Sequence, residues 1–325
     1  MSERLAPALI ALDWGTSSLR AYLLGEGGRV LAAQSRPWGI QHTPDGDFAR
    51  AYEELVGDWC RQWPGLPALA CGMIGSRQGW REVPYALCPA TSSNLVDGLL
   101  AVDTAYGPLY LLPGVLDASA LPNVIRGEET QVFGALQLAP ELREHALLVL
   151  PGTHSKWVSV RDGAISHFTT HMTGELFAVL RDHSILGRPA REQGIERSDE
   201  AFCRGLDAAR QSAAEGVSGR LFSTRSLLLT ERLTAGESLD YLSGLLIGEE
   251  LRSVLASLEE HACPPLVLIG DAHLCERYRL ALGRFGVTAV RTLENAGVTG
   301  LWHLACAAAL VTATPTAVSR SAMHV

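Results

Sequence analysis

Two stretches of this chain follow one plan, and that repetition limits what the chain can fold into. The first is "LIALDWGTSSLRAYLLGEGGRVLAA". It runs from an apolar strand at 9–12 through a turn to a second apolar strand at 19–24, then a Gly-rich turn and a third extended segment. The second is "ALLVLPGTHSKWVSVRDGAISHF", in which Gly152, Thr153, His154 and Ser155 stand where Gly15, Thr16, Ser17 and Ser18 stand in the first. Arg161, Asp162 and Gly163 likewise match the turn at 25–28. A turn that only reverses direction needs about two to five residues of the Asn-Gly or Asp-Gly kind. Hydroxyls beside a Gly suit an anion instead, because N–H and O–H donors converge where no Cβ blocks approach. Taken alone, such a turn reads more readily as a polar hairpin. Two in one register predict a duplicated domain pair with a cleft between the copies, each supplying one loop to a shared anion.

Between the copies lies "NVIRGEETQVFGALQLA". Val132, Phe133, Leu136 and Leu138 approximate an apolar helical face that starts after Arg126 and Gly127. Glu128 and Glu129 then fall in the first helical turn, where the helix dipole alone favours carboxylates. The functional alternative is that one of them faces the cleft as a base. Further on, "PPLVLIGDAHLCERYRLALGRFG" reads as a buried strand ending in Gly270 and Asp271, followed by an amphipathic helix at about 274–282. That order is common in nucleotide-binding α/β folds. "NAGVTGLWHLACAAAL" reads as a terminal Gly/Ala-rich helix packed close to its neighbours. At 325 residues two domains are expected. The division is placed at 1–138 and 139–325, the terminal helix crossing back.

Composition narrows the partners. Hydrophobic residues make up 47% and charged residues 19%, which excludes general disorder. The net charge of -8, with no basic-aromatic interleaving, argues against nucleic acid. Seven cysteines without a C-x-x-C spacing fit reduced thiols better than a disulfide frame or a zinc site. The first ten residues lack a secretion signal, and 301–311 is interrupted by His303, so no membrane association is expected and a cytoplasmic location is.

The order of these features resembles the sugar-kinase branch of the actin-like ATPase superfamily. "DWGTSSLR" looks like the first phosphate loop of those kinases, "PGTHSKW" like the second, "GEETQVFGA" like the segment carrying the catalytic acid, and "LIGDAHLCERY" like the adenosine motif. Longer strings narrow the likeness. "GMIGSRQGW", "RGEETQ", "LPGTHSKW", "MTGELFAVLRDHSILG" and "SGLLIGEEL" resemble signature blocks of the 2-dehydro-3-deoxygalactonokinase family, over about residues 9–309. Three positions depart from the wider superfamily: Glu in place of the usual catalytic Asp, Pro151 in the second loop, and Asp271 within the adenosine loop.

The resemblance implies an α/β fold of two duplicated ribonuclease H-like domains. It implies transfer of the γ-phosphoryl group of ATP to the 6-hydroxyl of 2-dehydro-3-deoxy-D-galactonate, a step of galactonate breakdown, with Mg²⁺ as cofactor. Asp13 would hold the metal. Gly15, Thr16, Ser17, Ser18, Arg20, Gly152, Thr153, His154, Ser155, Lys156, Gly270 and Asp271 would hold the nucleotide. Glu128 is the candidate base and Glu129 its alternative. For the sugar acid the candidates are Ser76, Arg77, Gln78, Trp80, Arg126, Thr173, Gly174 and Glu175. Arg77 is the first choice for the carboxylate, and Arg126 could equally do this or pair with Glu129. His171 reads as a structural hydrogen-bonder as readily as a substrate contact. A stereoisomeric keto-deoxy acid, an acceptor-independent ATPase, or a nucleotide-gated sensor or assembling protein remain the rivals, and a homodimer would be unsurprising.

Overall fold

Apolar segments bounded by Gly and Pro turns form strands here, and the longer periodic segments between them form helices that cover the sheets. The computed structural model describes residues 6–193, 197–212, 216–258 and 264–312. Two compact units emerge, one of 1–144, 161–167 and 295–325, the other of 145–160 and 168–294. The contacts therefore divide after Glu144 rather than after Leu138, and the terminal segment joins the first unit.

The first unit opens with the antiparallel strands β1 (Pro7–Trp14), β2 (Leu19–Gly25) and β3 (Val30–Arg36). Helix α1 (Phe48–Gln62) follows, capped by the Asp47 carboxylate, and leads into β4 (Ala68–Cys71). Next come β5 (Ala86–Leu87), α2 (Ser92–Asp97), β6 (Leu100–Thr104), β7 (Gly107–Leu111), β8 (Val115–Asp117) and β9 (Asn123–Ile125). Helix α3 (Glu128–Leu138) ends the run. The main sheet has the order β3-β2-β1-β4-β7-β6, and β5-β8-β9 form a small second sheet. Strand β4 lies parallel to β1 and pairs Cys71 with Asp13, so both strands end at one edge of the sheet. Alternate residues of β1, including Ile10, Leu12 and Trp14, enter a core with Tyr52, Leu55 and Trp59 of α1.

The second unit is built on β10 (His145–Leu150), β11 (Ser155–Arg161) and β12 (Ala164–His171), the tip of the β11–β12 hairpin counting with the first unit. Helices α4 (Thr173–His183), α5 (Arg188–Gln193), α6 (Asp199–Arg210), α7 (Ser223–Leu229) and α8 (Ser238–Leu258) follow. Strand β13 (Leu266–Ile269), α9 (Ala272–Arg284) and β14 (Val290–Leu293) complete it. The sheet order is β12-β11-β10-β13-β14. In both units a three-strand meander is followed by a strand added parallel to its first member.

Helix α10 (Ala296–Ala307) returns to the first unit and packs on α3 through glycines. A Cβ on Gly134 would stand 1.7 Å from the Ala296 carbonyl oxygen, and one on Gly300 would stand 1.9 Å from that of Thr130. No larger residue fits either position at this spacing. The expected apolar face of α3 holds for Val132, Phe133 and Leu136, but Leu138 at the last turn is 41% exposed. The six described cysteines are free thiols, and Cys263 lies outside the described residues. No described helix is long and apolar enough to cross a membrane.

Candidate active site

In the first unit the chain reverses after Trp14, and the antiparallel register sets Asp13 opposite Arg20. Their side chains pair at 3.4 Å. The turn between them is closed by a Gly15 N–H to Ser18 carbonyl bond of 2.9 Å. Thr16 and Ser17 are exposed and Ser18 half-buried. Asp13 borders a recess of about 30 Å³ that Tyr22, Cys71, Thr130, Gln131 and Gly297 also line. Desolvation there outweighs the Arg20 guanidinium and raises the Asp13 pKa. Burial beside Asp13 and Glu129 likewise raises the Cys71 thiol well above its ordinary value.

The chain leaves β4 through Gly72 at φ +94°, where a Cβ would come within 2.7 Å of the Trp14 carbonyl oxygen. Gly127, at φ +107°, abuts Gly72 and starts α3 beside the strand ends. Two carboxylates follow, with different surroundings. Glu128 is half-buried, and its Oε2 accepts the Arg126 backbone N–H at 2.9 Å. Glu129 is fully buried. Its Oε2 accepts the Gly127 N–H at 2.6 Å, and the Thr130 hydroxyl donates to Oε1 at 3.4 Å. Burial, reinforced by the Glu128 charge, pushes the Glu129 pKa up to about 8 against the pull of backbone N–H groups and Arg126.

That shift makes stability pH-dependent. Between the ordinary carboxyl value of 4.5 and about 8 the folded chain holds a proton that the unfolded chain has released. The Glu129 contribution is fully present below that interval and is lost as pH rises through about 8. The melting temperature of the wild type is expected to fall by several degrees between about pH 5.5 and 8.5. Glu129→Gln, which carries no such proton, should flatten the profile in the same calorimetric scan.

The candidate sugar-acid loop divides in two. Trp80 packs on Trp14, Phe48 and Tyr52, with ring centroids 6.4, 6.4 and 6.2 Å away, and lies half-buried against the core. Arg77 and Gln78 are exposed, whereas Ser76 is buried. Arg126 is buried as well, donating from Nη2 to the Val83 carbonyl at 2.8 Å beneath the Tyr85 ring.

In the second unit the loop between β10 and β11 leaves Thr153 and His154 exposed and Gly152 half-buried. Ser155 points inward and donates to Glu250, and Lys156 is buried, donating to the Thr170 hydroxyl at 3.0 Å. Helix α4 starts against this loop: the Glu175 N–H bonds the Thr153 carbonyl at 2.9 Å, and the Glu175 and His154 side chains hydrogen-bond. Gly174 lines an adjoining cavity of about 600 Å³, together with Gly152, Thr153, Asp271 and Tyr278. Asp271 follows Gly270 and caps α9 through a 3.0 Å bond from the Leu274 N–H. Thr173 lines the same cavity, and its hydroxyl donates to Glu250. His171 sits half-buried at the end of β12.

Comparison with known proteins identifies the chain. A family profile described as 2-keto-3-deoxy-galactonokinase matches residues 13–304. The chain belongs to the 2-keto-3-deoxy-galactonokinase family. The 2-dehydro-3-deoxygalactonokinase of Escherichia coli K12 is 34% identical over 300 residues, spanning 90% of this chain and 97% of that one. A Sinorhizobium meliloti crystal structure assigned to the same activity superimposes with a TM-score of 0.84 at 33% identity, covering 92% of this chain and 98% of that one. Xylulose kinase from Lactobacillus acidophilus shares the fold only, with a TM-score of 0.51 at 10% identity over 93% of this chain and 89% of that one.

Within this 2-keto-3-deoxy-galactonokinase family member, two site features escaped the sequence reading. Glu250 is 2% exposed and gathers hydroxyl and indole donors from three elements. Its signal was available: a carboxylate inside the mostly apolar helix "SLDYLSGLLIGEELRSVLASL" must find partners. The second is Arg277, which pairs with Asp240 at 2.7 Å, lies 4.0 Å from the Phe202 ring centroid and lines the 600 Å³ cavity.

Proposed function

We propose that this chain transfers the γ-phosphoryl group of ATP to the terminal 6-hydroxyl of 2-dehydro-3-deoxy-D-galactonate. The observation that carries this reading is the start of α3, where a half-buried Glu128 and a buried Glu129 stand beside the strand end bearing Asp13. Phosphoryl transfer asks the protein mainly for positioning and charge stabilisation. Glu128 is reachable from solvent and takes the proton of the attacking hydroxyl. Glu129, sealed in the core and neutral near pH 7, holds the Gly127 turn that presents Glu128.

Asp13 fits Mg²⁺, which is held through one or two carboxylates together with phosphate oxygens and water. Bound there, the ion would neutralise charge developing on the phosphates, and Arg20 would exchange its carboxylate partner for a phosphate oxygen. Donors of the 15–18 turn would take phosphate oxygens in the first unit, and Gly152 and Thr153 offer donors of the same kind in the second. The 600 Å³ cavity of the second unit has room for the nucleoside. The shared order of the two sheets supports reading the units as duplicate copies of one ribonuclease H-like domain.

The test is ADP release with Mg-ATP over a panel of keto-deoxy and plain sugar acids. Turnover that depends on 2-dehydro-3-deoxygalactonate is the expected result. Turnover indifferent to every acceptor would make the chain an ATPase, and preference for a stereoisomer would move the substrate assignment.

A further inference from the structure

We infer that Tyr22 and Gln131 hold one ordered water against Asp13, and so fix the orientation of its carboxylate for the divalent ion. Both are positioning residues, and the inference rests on the reading of Asp13 as the metal ligand given above.

Strand register brings the first of them to Asp13. Across β1 and β2, Asp13 lies opposite Arg20, and Ala11 lies opposite Tyr22. Residues two apart share a face of a strand, so Asp13, Arg20 and Tyr22 stand on one face. The diagonal from Asp13 to Tyr22 is one of about 7–8 Å that an aromatic side chain spans. Gln131 arrives from α3, about one turn after Glu128. A Cβ placed on Gly297 would stand 3.8 Å from the Gln131 Cγ, so α10 backs the glutamine at contact distance. All of these residues belong to the first unit.

Their side chains meet at the recess of about 30 Å³ beside Asp13. A buried water needs about 10–15 Å³ and about two to four polar partners, so this space suits a water and excludes a sugar or a nucleotide. The partners are present. The Arg20 guanidinium bonds Asp13 at Oδ2, 3.4 Å away, and Oδ1 accepts from no described residue. The Tyr22 hydroxyl and the Gln131 amide bond no other described residue. A carboxylate, a hydroxyl and an amide around a water-sized space offer both donors and acceptors to one molecule. Thr130, also in the wall, already turns its hydroxyl to Glu129 at 3.4 Å.

A metal ligand needs such support here. Mg²⁺ tolerates little departure from octahedral geometry, so its carboxylate must keep a fixed orientation. Arg20 is exposed, and once it turns to a phosphate oxygen it no longer restrains Asp13. The water between Asp13, Tyr22 and Gln131 is the restraint that remains. Outer partners of this kind orient a metal ligand, and losing one costs about 10- to 100-fold in metal affinity.

The test measures Mn²⁺ binding by electron paramagnetic resonance, on the full-length protein with a non-hydrolysable ATP analogue, so no turnover is required. Wild type is set beside Tyr22→Phe, Gln131→Met, their double variant and Asp13→Asn, after a melting scan of each. Tyr22→Phe and Gln131→Met should each weaken Mn²⁺ binding by about 10-fold. Because both act through one water, the double variant should lose about 10- to 30-fold, short of the ~100-fold of independent effects. Binding of the analogue without metal should stay as in the wild type, whereas a general loosening of the turn would weaken that too. Single variants with wild-type Mn²⁺ affinity, or a double variant weakened about 100-fold, would overturn the inference. If Asp13→Asn binds Mn²⁺ as the wild type does, the metal reading fails and takes this inference with it. If Asp13→Asn alone loses the ion, the metal reading stands and only the inference falls. A high-resolution crystal structure of the wild type carries the test where a variant does not fold. A water bonded to Asp13, Tyr22 and Gln131 is the expected result, and a recess holding no water, or the ion itself, would refute the assignment.

Discussion

Glu128→Gln is expected to lower kcat by about 10²- to 10⁴-fold while leaving KM for ATP and the sugar acid close to wild type. The substitution keeps the side chain's length and a carbonyl oxygen for the Arg126 N–H, so the turn should survive. What it removes is basicity: the amide oxygen keeps its lone pairs but cannot take up a proton near neutral pH. Glu129→Gln makes the useful contrast. Glu129 has no exposed surface and spends its oxygens on Gly127 and Thr130, so its effect on kcat should stay below about 10-fold and arise through the turn it holds. Single-turnover measurements separate the two residues, because only loss of the base slows the chemical step itself. A collapse confined to Glu129→Gln would transfer the role of base to Glu129 and require the turn to open before catalysis.

The division of labour between these adjacent carboxylates shows what the sequence could and could not convey. That α3 begins at Glu128 was legible, since Arg126-Gly127 precedes an apolar run with helical spacing. Which carboxylate is sealed was not, because burial of Glu129 depends on strand ends and on α10, more than a hundred residues away in the chain. The hairpins were legible for a local reason: apolar runs on both sides of a Gly-Thr turn pair in only one sensible register. The packing of Trp80 was hidden for a non-local one. Trp80 stands in a polar loop, yet its neighbours in space are Trp14, Phe48 and Tyr52. Arg77 and Arg126 looked interchangeable as cations, and only enclosure by Gly75, Val83 and Tyr85 distinguishes them. Ser155 and Thr173, read as ligand contacts from their place beside the loops, turn their hydroxyls to Glu250 instead.

That last observation leads to the largest expected effect on stability. Glu250→Ala should prevent the second unit from folding at ordinary temperatures, and Glu250→Gln should lower its melting temperature by several degrees or more. The Glu250 Oε1 accepts from the Ser155 hydroxyl and the Trp157 indole N–H at 2.7 Å each, and Oε2 accepts from the Thr173 hydroxyl and from the Tyr278 hydroxyl at 2.8 Å. These donors come from β11, α4 and α9, so one carboxylate links the sheet to two helices around the 600 Å³ cavity. Alanine leaves four donors buried and unpaired at about 1–3 kcal/mol each, a sum comparable with the whole stability of a typical domain. Glutamine keeps one acceptor oxygen for Ser155 and Trp157 and puts an NH₂ in place of the other, so the Thr173 and Tyr278 hydroxyls must turn from donating to accepting and give up their present orientation. Differential scanning calorimetry of Glu250→Gln, set beside Ser155→Ala, tests the cooperative arrangement. Ser155→Ala removes a single hydroxyl and should cost about 1 kcal/mol. If the two variants melted together, the carboxylate would be one hydrogen-bond acceptor among many. A drop several times larger for Glu250→Gln would show that the loop at 151–155, the start of α4 and Tyr278 are held as one body, and nucleotide affinity should then fall with the melting temperature.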